Sequence, residues 1–412
     1  MPQATQTFVI VGASLAGAKA AETLRSDGFE GRVVLIGDEA RRPYERPPLS
    51  KEYLRGEKDF DAAAVHPAGF YDEHDIELRT STVVTAIDPA GMSVTLSSGE
   101  QITYDRLLLA TGATPRRLSV PGADLEGVHY LRSVEDADQL RQAIGPSVQV
   151  VVIGAGWIGA EVAASARQVG ADVAMVELAA VPLERVLGPE VGAVYRDLHQ
   201  GHGVDLHFGV GIEAIVGSQA VEAVRLSDGT VLPAAAVVVG VGVTPRVELA
   251  EAAGLAVDNG VVVDEHLQAS APGIFAAGDV ANTYYPRYGT RIRLEHWSAA
   301  LNQGPAAARA MLGQQVSYDR IPYFFSDQYD LGMEYRGWVA DFDQVVFRGD
   351  PAAGEFLCFW LHHGRVAAAM NANVWDAGDA IERLLQTDRP IDPARLADPE
   401  AELDGLAGPP GT

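Results

Sequence analysis

Two copies of a glycine-rich turn, about 140 residues apart, constrain this chain more than any other feature. Each copy follows a short apolar run, residues 8–11 in the first and 150–153 in the second. The turn residues are Gly12, Ser14, Ala16 and Gly17 in the first copy and Gly154, Gly156 and Gly159 in the second. A buried parallel strand that turns tightly into a helix presents the helix N-terminus to a pyrophosphate group. Two copies therefore predict two dinucleotide-binding units.

An acidic residue follows each turn by about 20 residues, at the end of a second apolar run. These residues are Asp38 in the first copy and Glu177 in the second. A carboxylate in this position can accept hydrogen bonds from ribose hydroxyls. Glu177 would repel a 2′-phosphate, and the following Leu178-Ala179-Ala180 contains no arginine to bind one, so we expect NADH rather than NADPH. A protein that holds two dinucleotides is expected to pass electrons between them.

Composition narrows the class of protein and its partners. The formal net charge of −25 disfavours nucleic acids and anionic membranes as partners. No apolar run reaches the roughly 18 residues of a membrane span, and the N-terminus lacks a signal-peptide pattern. The single cysteine, Cys358, excludes a disulfide or a dithiol redox centre within the chain and fits a reducing compartment. We therefore expect a cytoplasmic protein.

Proline and glycine positions suggest where the chain divides. A strand-like run at residues 104–109 leads into a glycine turn and Pro115, and residues 237–243 repeat this pattern before Pro245. Aromatic residues and new strand-like runs follow residue 321. We expect boundaries near residues 116, 244 and 320. The last segment, residues 398–412, is acidic and rich in glycine and proline, which predicts a disordered tail.

Eight motifs along nearly the whole chain carry a family resemblance. They are Arg46–Lys51, Leu109–Gly112, Tyr130–Asp136, Gly154–Glu161, Gly240–Pro245, Ala276–Asp279, Glu295–Trp297 and Phe325–Tyr329. Together they resemble the FAD-dependent, NADH-using ferredoxin reductases that serve bacterial oxygenases, the putidaredoxin reductase-like family. The first and last motifs favour this branch of the flavoproteins over others.

The resemblance implies a fold and a domain plan. The fold class is α/β, with two Rossmann-like dinucleotide-binding domains in the glutathione-reductase-like flavoprotein arrangement and a C-terminal α+β interface domain. FAD is expected in a discontinuous domain of residues 1–116 and 245–320. NADH is expected in residues 117–244, and the interface domain in residues 321–397.

The resemblance also assigns cofactor contacts. Ala16 and the turn around Ser14 would lie against the FAD pyrophosphate, and serine in place of the usual glycine affects only how closely the backbone approaches. Asp38 would hold the adenosine ribose and Asp279 the ribityl chain. The remaining expected cofactor-binding residues are Val84 beside the adenine, Thr111, Gly112, Arg132 and Gly242.

Lys51 and Glu161 are the first pair of candidate catalytic residues. Lys51 follows a stiff Arg-Pro-Pro segment, and an ammonium at flavin N5 would favour hydride arrival and the negative charge of the reduced ring. Glu161 is the candidate carboxylate partner that a lysine removed from water needs. The alternatives are a surface lysine at a helix start and an ordinary first-turn glutamate favoured by the helix dipole.

Trp297 is the third candidate. A helix beginning near Ser298 could aim its N-terminus at flavin N1 and O2 and stabilise the reduced ring. Trp297, at the entrance of that helix, could cover the flavin face near the nicotinamide. The alternative is an aromatic residue of the core.

Cys358 lies in an apolar run and is expected to be a small buried side chain. No thiol then lies on the electron path, and no metal ligands are expected in the chain. Electrons must leave for an external acceptor, which the resemblance identifies as a [2Fe-2S] ferredoxin that supplies a haem mono-oxygenase or a ring-hydroxylating dioxygenase. A rubredoxin reductase and an apoptosis-inducing-factor-like NADH-binding flavoprotein remain alternatives.

The acidic chain needs a local cationic patch to dock an acidic ferredoxin. The densest candidate is the set Arg287, Arg291, Arg293 and Arg309. The alternative is that these arginines neutralise nearby carboxylates. In that case we expect the ferredoxin to dock on the C-terminal domain, around Arg336 and Arg348.

Overall fold

The computed structural model describes residues 6–387 and 389–407. These residues form two compact units. The first unit comprises the chain up to Pro47, Asp59–Thr114 and Val243–Arg320, and the second comprises Pro48–Lys58, Pro115–Gly242 and the chain from Ile321. Among the described helices, none is both long and apolar enough to span a bilayer.

Residues 6–239 contain sixteen strands and six α-helices that carry the labels used below. The strands are β1 (Thr7–Val11), β2 (Arg32–Ile36), β3 (Ile76–Arg79), β4 (Val84–Asp88), β5 (Ser93–Leu96), β6 (Gln101–Thr103), β7 (Arg106–Leu109), β8 (Ala113–Pro115), β9 (Val128–Tyr130), β10 (Gln149–Ile153), β11 (Asp172–Glu177), β12 (Asp205–Phe208), β13 (Ile212–Gly217), β14 (Val221–Leu226), β15 (Val231–Pro233) and β16 (Ala236–Val239). The helices are α1 (Leu15–Ser26), α2 (Phe60–Ala63), α3 (Phe70–Glu73), α4 (Val134–Ala143), α5 (Trp157–Gln168) and α6 (Glu184–Gly201).

The remaining described residues, 240–387 and 389–407, add ten strands and five α-helices. The strands are β17 (Val243–Pro245), β18 (Val261–Val263), β19 (Ile274–Ala276), β20 (Ala281–Tyr285), β21 (Thr290–Arg293), β22 (Tyr323–Gln328), β23 (Leu331–Gly337), β24 (Gln344–Asp350), β25 (Glu355–His362) and β26 (Arg365–Ala372). The helices are α7 (Glu248–Ala252), α8 (Trp297–Met311), α9 (Gly378–Leu385), α10 (Pro393–Ala397) and α11 (Leu403–Ala407).

A five-stranded parallel sheet in the order β19-β7-β1-β2-β3 forms the centre of the first unit. Its strands are continuous apolar runs because helices cover both faces of such a sheet, and Val9 and Ile10 are fully buried. Helices α1 and α8 pack closely, since a Cβ at Gly304 would lie only 2.2 Å from the carbonyl oxygen of Ala16. Strands β5 and β6 of this unit form an antiparallel hairpin.

The second unit contains a parallel sheet in the order β12-β11-β10-β16-β9. A three-stranded antiparallel sheet, β13-β14-β15, packs its apolar side into the same core. The chain from Ile321 adds an antiparallel sheet in the order β22-β23-β26-β25-β24. The predicted fold class, two Rossmann-like domains with a C-terminal α+β part, is therefore confirmed.

Segment Pro48–Lys58 groups with the second unit, although the sequence placed it inside the FAD domain of residues 1–116. Its side chains explain this grouping. Ser165 Oγ of α5 donates to the carbonyl oxygen of Ser50 at 2.6 Å, and Tyr53 OH donates to Asp138 of α4 at 2.7 Å. The residues that hold this segment in place lie more than 80 positions away in the sequence, so local sequence patterns do not reveal them.

Residues 398–407 are folded, which corrects that part of the predicted disordered tail. Helix α11 places Leu406 and Ala407 in an apolar cluster with α9, at 9% and 7% exposure. Arg383 of α9 pairs with Asp404 at 2.5 Å. Leu406 and Ala407 anchor this segment, but the glycine- and proline-rich composition around them predicted disorder. Residues 408–412 lie outside the described residues.

Candidate active site

The first unit gathers its predicted residues along one edge of its parallel sheet. Gly12 follows β1, Asp38 follows β2, Thr111 follows β7 and Asp279 follows β19. These four strands are neighbours and run in the same direction, so the residues after them meet at the carboxyl edge. Ligands of open parallel sheets bind at this edge.

The turn between β1 and α1 has the shape that a dinucleotide requires. Gly12 has φ 120°, and a Cβ there would lie 2.0 Å from the carbonyl oxygen of Ala110, so only glycine fits. Ser14 is the N-cap of α1, yet its side chain makes no capping hydrogen bond. The first-turn N–H groups, next to the buried Ala16, therefore remain available for an anion.

Asp38 has a protein partner that sequence reasoning missed. Arg246 Nη2 donates to Asp38 Oδ2 at 2.8 Å. Burial alone would raise the pKa of Asp38, but the hydrogen bond and charge of Arg246 outweigh it and hold the pKa below its ordinary value. The carbonyl oxygen of Arg246 also accepts from Thr111 Oγ1 at 2.8 Å. Arg246 thus joins two predicted cofactor-binding residues.

Trp297 begins α8, as predicted, and its ring is not simply part of the core. Its Nε1 donates to Glu45 Oε2 at 3.2 Å. The preceding residue, His296, is the N-cap and makes no side-chain capping bond. Burial lowers the pKa of His296 to about 4, which keeps its imidazole neutral near neutral pH.

The other predicted first-unit residues lie in ordinary strand or turn positions. Val84 is buried in β4 opposite Leu96. Gly112 has φ 69° in the turn after β7. Asp279 lies in a short 3-10 helix, and its carbonyl oxygen accepts from Arg293 at 3.1 Å.

The second unit repeats the edge arrangement of the first. Gly154 follows β10, Glu177 ends β11, Gly242 comes shortly after β16 and Arg132 comes shortly after β9. These strands are parallel neighbours, so the four residues occur at the carboxyl ends of one sheet. Gly156 is the N-cap of α5, and the space where its Cβ would point is open.

Glu177 is held by the backbone of the turn that it adjoins. Its Oε2 accepts from the N–H of Ala155 at 2.8 Å, and its Oε1 accepts from the N–H of Ala179 at 3.1 Å. These bonds fix the carboxylate beside the glycine turn, where a ribose would bind. The neighbouring Leu178 side chain is 70% exposed, and no cation follows it before Val181.

Lys51 and Glu161 form a buried ion pair within the second unit. Lys51 Nζ lies 2.9 Å from Glu161 Oε2, and each side chain is about 5–6% exposed. The ammonium also lies 5.5 Å from the centre of the Phe325 ring, within cation–π range. A buried ammonium without a partner would be very costly. The interpretations of Lys51 as a surface residue and Glu161 as an ordinary first-turn residue are therefore wrong.

Two buried hydroxyls complete the surroundings of Glu161. Ser50 Oγ donates to Oε2 at 2.5 Å, and Ser326 Oγ donates to Oε1 at 2.7 Å. Both serines are 1% exposed. Ser326 lies inside the Phe325–Tyr329 motif, but its spacing of 165 residues from Glu161 gave no signal of contact.

The candidate arginine patch is occupied by partners inside the first unit. Arg287 pairs with Asp319, Arg293 with Glu295 and Arg309 with Asp27. Arg291 donates to the carbonyl oxygen of Val263. These contacts favour the interpretation that the arginines neutralise carboxylates and cap carbonyls.

The second candidate patch is used in the same way. Arg336 pairs with Glu334 at 3.1 Å and with Glu382 at 3.6 Å. Arg348 donates to the carbonyl oxygens of Pro399 and Ala401. Neither arginine is a simple surface cation.

The two turns fit two dinucleotides. Each has a helix N-terminus without a side-chain cap, at Ser14 and Gly156, next to a carboxylate at the end of the adjacent strand. Backbone N–H groups at a helix N-terminus bind pyrophosphate, and a carboxylate at the end of the adjacent strand binds ribose hydroxyls. The residues present therefore suit one dinucleotide in each unit.

Comparison with known families and proteins decides the family. Residues 6–304 match the pyridine nucleotide-disulphide oxidoreductase family, and residues 323–407 match the reductase C-terminal family. The chain belongs to the pyridine nucleotide-disulphide oxidoreductases. It groups there with the putidaredoxin reductase-like ferredoxin reductases, which confirms the predicted resemblance.

Three similar proteins illustrate the grouping. Rhodocoxin reductase of Rhodococcus erythropolis is 39% identical over 96% of this chain and 93% of its own. The ferredoxin–NAD(+) reductase component of the anthranilate 1,2-dioxygenase system of Burkholderia cepacia is 40% identical over 96% of this chain and 98% of its own. The crystal structure of a covalent putidaredoxin reductase–putidaredoxin complex superposes with a TM-score of 0.94, at 38% identity, covering 98% of each chain.

Membership makes the protein an oxidoreductase that uses FAD and NAD(H), as the resemblance predicted. The second matched region, residues 323–407, overlaps the C-terminal interface domain expected at residues 321–397. The individual roles of the site residues, including Lys51, Glu161 and Trp297, stay predictions.

Proposed function

We propose that this protein takes hydride from NADH onto FAD and passes single electrons to a [2Fe-2S] ferredoxin that supplies an oxygenase. One observation carries the proposal. The chain matches reductase components of oxygenase systems over nearly its full length and has a single cysteine. It therefore has no disulfide of its own to reduce, and its electrons go to an external acceptor.

FAD supplies the chemistry that links the two half-reactions, because it can accept a hydride and release electrons one at a time. The chain contributes binding and electrostatics. In the first unit, the open N-terminus of α1 would bind the pyrophosphate, and Asp38, oriented by Arg246, would hold the ribose. In the second unit, Glu177 would select NADH by accepting from the ribose hydroxyls and repelling a 2′-phosphate.

Lys51 and Glu161 would tune hydride transfer. The ammonium favours negative charge on a nearby acceptor, and a low-dielectric environment strengthens that effect. Glu161 would hold the ammonium in place, because it binds Lys51 with one oxygen while Ser326 holds the other. Trp297 would cover the flavin, with its indole oriented by Glu45.

Two features support a cytoplasmic location. The single cysteine is buried at 0% exposure, and NADH is the electron donor that the second unit suits. Both fit a reducing compartment.

The test is steady-state turnover of the purified flavoprotein with NADH and three alternative acceptors. Fast reduction of a [2Fe-2S] ferredoxin, with slow reduction of rubredoxin, supports the proposal. A preference for rubredoxin would make rubredoxin the electron acceptor, and the protein would still be an NADH-dependent reductase of an electron-transfer protein. Slow turnover with both proteins and with cytochrome c would instead indicate an apoptosis-inducing-factor-like binding role.

A further inference from the structure

A continuous series of buried hydrogen bonds leads away from Glu161 within the second unit. Ser326 Oγ donates to Glu161 Oε1 at 2.7 Å, and Gln328 Nε2 donates to Ser326 Oγ at 3.3 Å. Next, His199 Nε2 lies 2.9 Å from Gln328 Oε1. Tyr329 OH ends the series, 3.3 Å from His199 Nδ1.

Elementary donor and acceptor rules fix the direction of this series. A carboxylate can only accept hydrogen bonds, so Ser326 Oγ donates its single hydrogen to Glu161. The same oxygen must therefore accept the hydrogen bond from the amide nitrogen of Gln328. The amide oxygen of Gln328 then faces His199, which must carry its hydrogen on Nε2.

The last link follows from the charge state of His199. Burial lowers the pKa of His199 to about 4, so the ring is neutral at neutral pH and Nδ1 is an acceptor. Burial also raises the pKa of Tyr329, whose phenol therefore keeps its hydrogen and donates it to Nδ1. Every donor in the series points toward Glu161.

Burial makes this polar series costly unless it is fully bonded. Ser326 and Gln328 are each 1% exposed, and His199 is fully buried. The two strand residues alternate with Phe325 and Asp327, so β22 turns two polar side chains toward the same buried face as Phe324. An apolar pair would fill that face without any need for bonding partners.

The terminal residue of the series is held in an unfavourable backbone conformation. Tyr329 has φ 57° in the two-residue turn between β22 and β23, a position that usually takes asparagine or glycine. Its ring stacks on His202 at 3.7 Å with an angle of 7°, which steadies the hydroxyl beside His199. Such outliers persist where the surrounding contacts over-determine them, and they cluster at functional sites.

We propose that Tyr329, His199, Gln328 and Ser326 form a one-way donor chain that positions the Glu161 carboxylate for its pairing with Lys51. His199 is the positioning residue, because its Nε2–H is the buried donor that holds the Gln328 amide oxygen and so keeps the amide nitrogen directed at Ser326. The inference deepens the proposed function and rests on the role assigned there to Lys51 and Glu161.

Nitrogen NMR of ¹⁵N-histidine-labelled protein tests the chain without any turnover. The His199 signals, assigned by comparison with the His199→Gln variant, should show a neutral ring with hydrogen on Nε2 at pH 7. Gln328→Leu removes the acceptor and should shift His199 toward a mixture of tautomers. A wild-type ring with hydrogen on Nδ1, or a doubly protonated ring at pH 7, would overturn the proposal.

Stopped-flow reduction of the flavin by NADH tests the consequence. His199→Leu should slow reduction about three- to tenfold, the effect expected for losing one buried hydrogen bond, with NADH affinity unchanged. His199→Gln should restore the rate to within about twofold, because its amide nitrogen can donate where Nε2 does. The control is His207→Leu, which removes a histidine of the same unit that pairs with Asp205 outside the chain.

A double-mutant cycle separates positioning from a general structural effect. In a Glu161→Gln background, His199→Leu should cause little further slowing, since its influence passes through Glu161. Equal slowing in both backgrounds, or failure of His199→Gln to rescue, would contradict the proposal. These measurements use NADH and the holoprotein without ferredoxin, so their outcome is independent of the acceptor assignment.

Discussion

Glu161 and Lys51 lie 2.9 Å apart with 4% and 5% of their surfaces exposed, so each buried group has the other as its ionic partner. Glu161→Ala should destabilise the protein by about 3–5 kcal/mol, because it leaves an unpaired buried ammonium. Lys51→Ala should have a cost of similar size, and the double variant should cost less than the sum. Urea denaturation of the three variants measures these values, and strict additivity would show that the pair is not coupled.

The same pair should affect chemistry. Lys51→Ala and Glu161→Ala should each slow flavin reduction by NADH without loss of bound FAD, and their effects should be non-additive. Stopped-flow bleaching of the flavin and its absorbance per protein measure the two quantities. Wild-type reduction rates in both single variants would leave the pair a purely structural role.

Glu177 should determine nucleotide preference. Glu177→Ala removes the ribose-binding carboxylate and should raise KM for NADH and narrow the NADH/NADPH ratio of kcat/KM by roughly tenfold or more. A nearby control is Glu184→Ala, whose carboxylate accepts from the N–H groups of Ala180 and Val181. An unchanged ratio in Glu177→Ala would refute the assignment.

Cys358 should be dispensable for turnover. The residue is fully buried on β25, and burial raises the pKa of its thiol well above the ordinary value. Cys358→Ala should keep NADH-dependent ferredoxin reduction near the wild-type rate, with normal flavin content. If turnover disappeared while flavin content stayed normal, electrons would have to pass through the thiol.

Acid should destabilise the protein through two histidines, the buried His199 and the partly buried His296. The pKa values of His199 and His296 are lowered to about 4, whereas an unfolded histidine titrates near 6.5. Between these values the unfolded chain binds more protons, so the contribution to stability is complete above about pH 6.5 and is lost as the pH falls toward 4. Each residue can contribute up to about 3 kcal/mol.

His199→Gln should flatten part of this dependence, because its amide does not titrate. Around His199 lie His202, whose charge opposes protonation, and the uncharged Gln328 and Tyr329. Denaturation at pH 8, 6 and 5 for the wild type and the variant measures the difference. Parallel curves would show that another group carries the pH dependence.

Local sequence patterns were enough to predict three features. These are the two glycine turns, the residues that follow the parallel strands, and the position of Glu177 beside its turn. These features depend on residues within about 25 positions of one another, and strand order then brings them to one edge. Two further partners could not be predicted in this way, Ser326 for Glu161 and Arg246 for Asp38. Ser326 and Arg246 lie 165 and 208 residues away from them, and no periodicity encodes such contacts.

Segment Pro48–Lys58 has a practical consequence for protein engineering. It lies in the sequence among residues of the first unit, but its partners Glu161, Ser165 and Asp138 all belong to the second. An exchange of nucleotide-binding units between related reductases must therefore transplant residues 48–58 together with residues 115–242 and the C-terminal region. A chimera joined only at the apparent boundary near residue 116 would inherit a lysine from one parent and its carboxylate from the other.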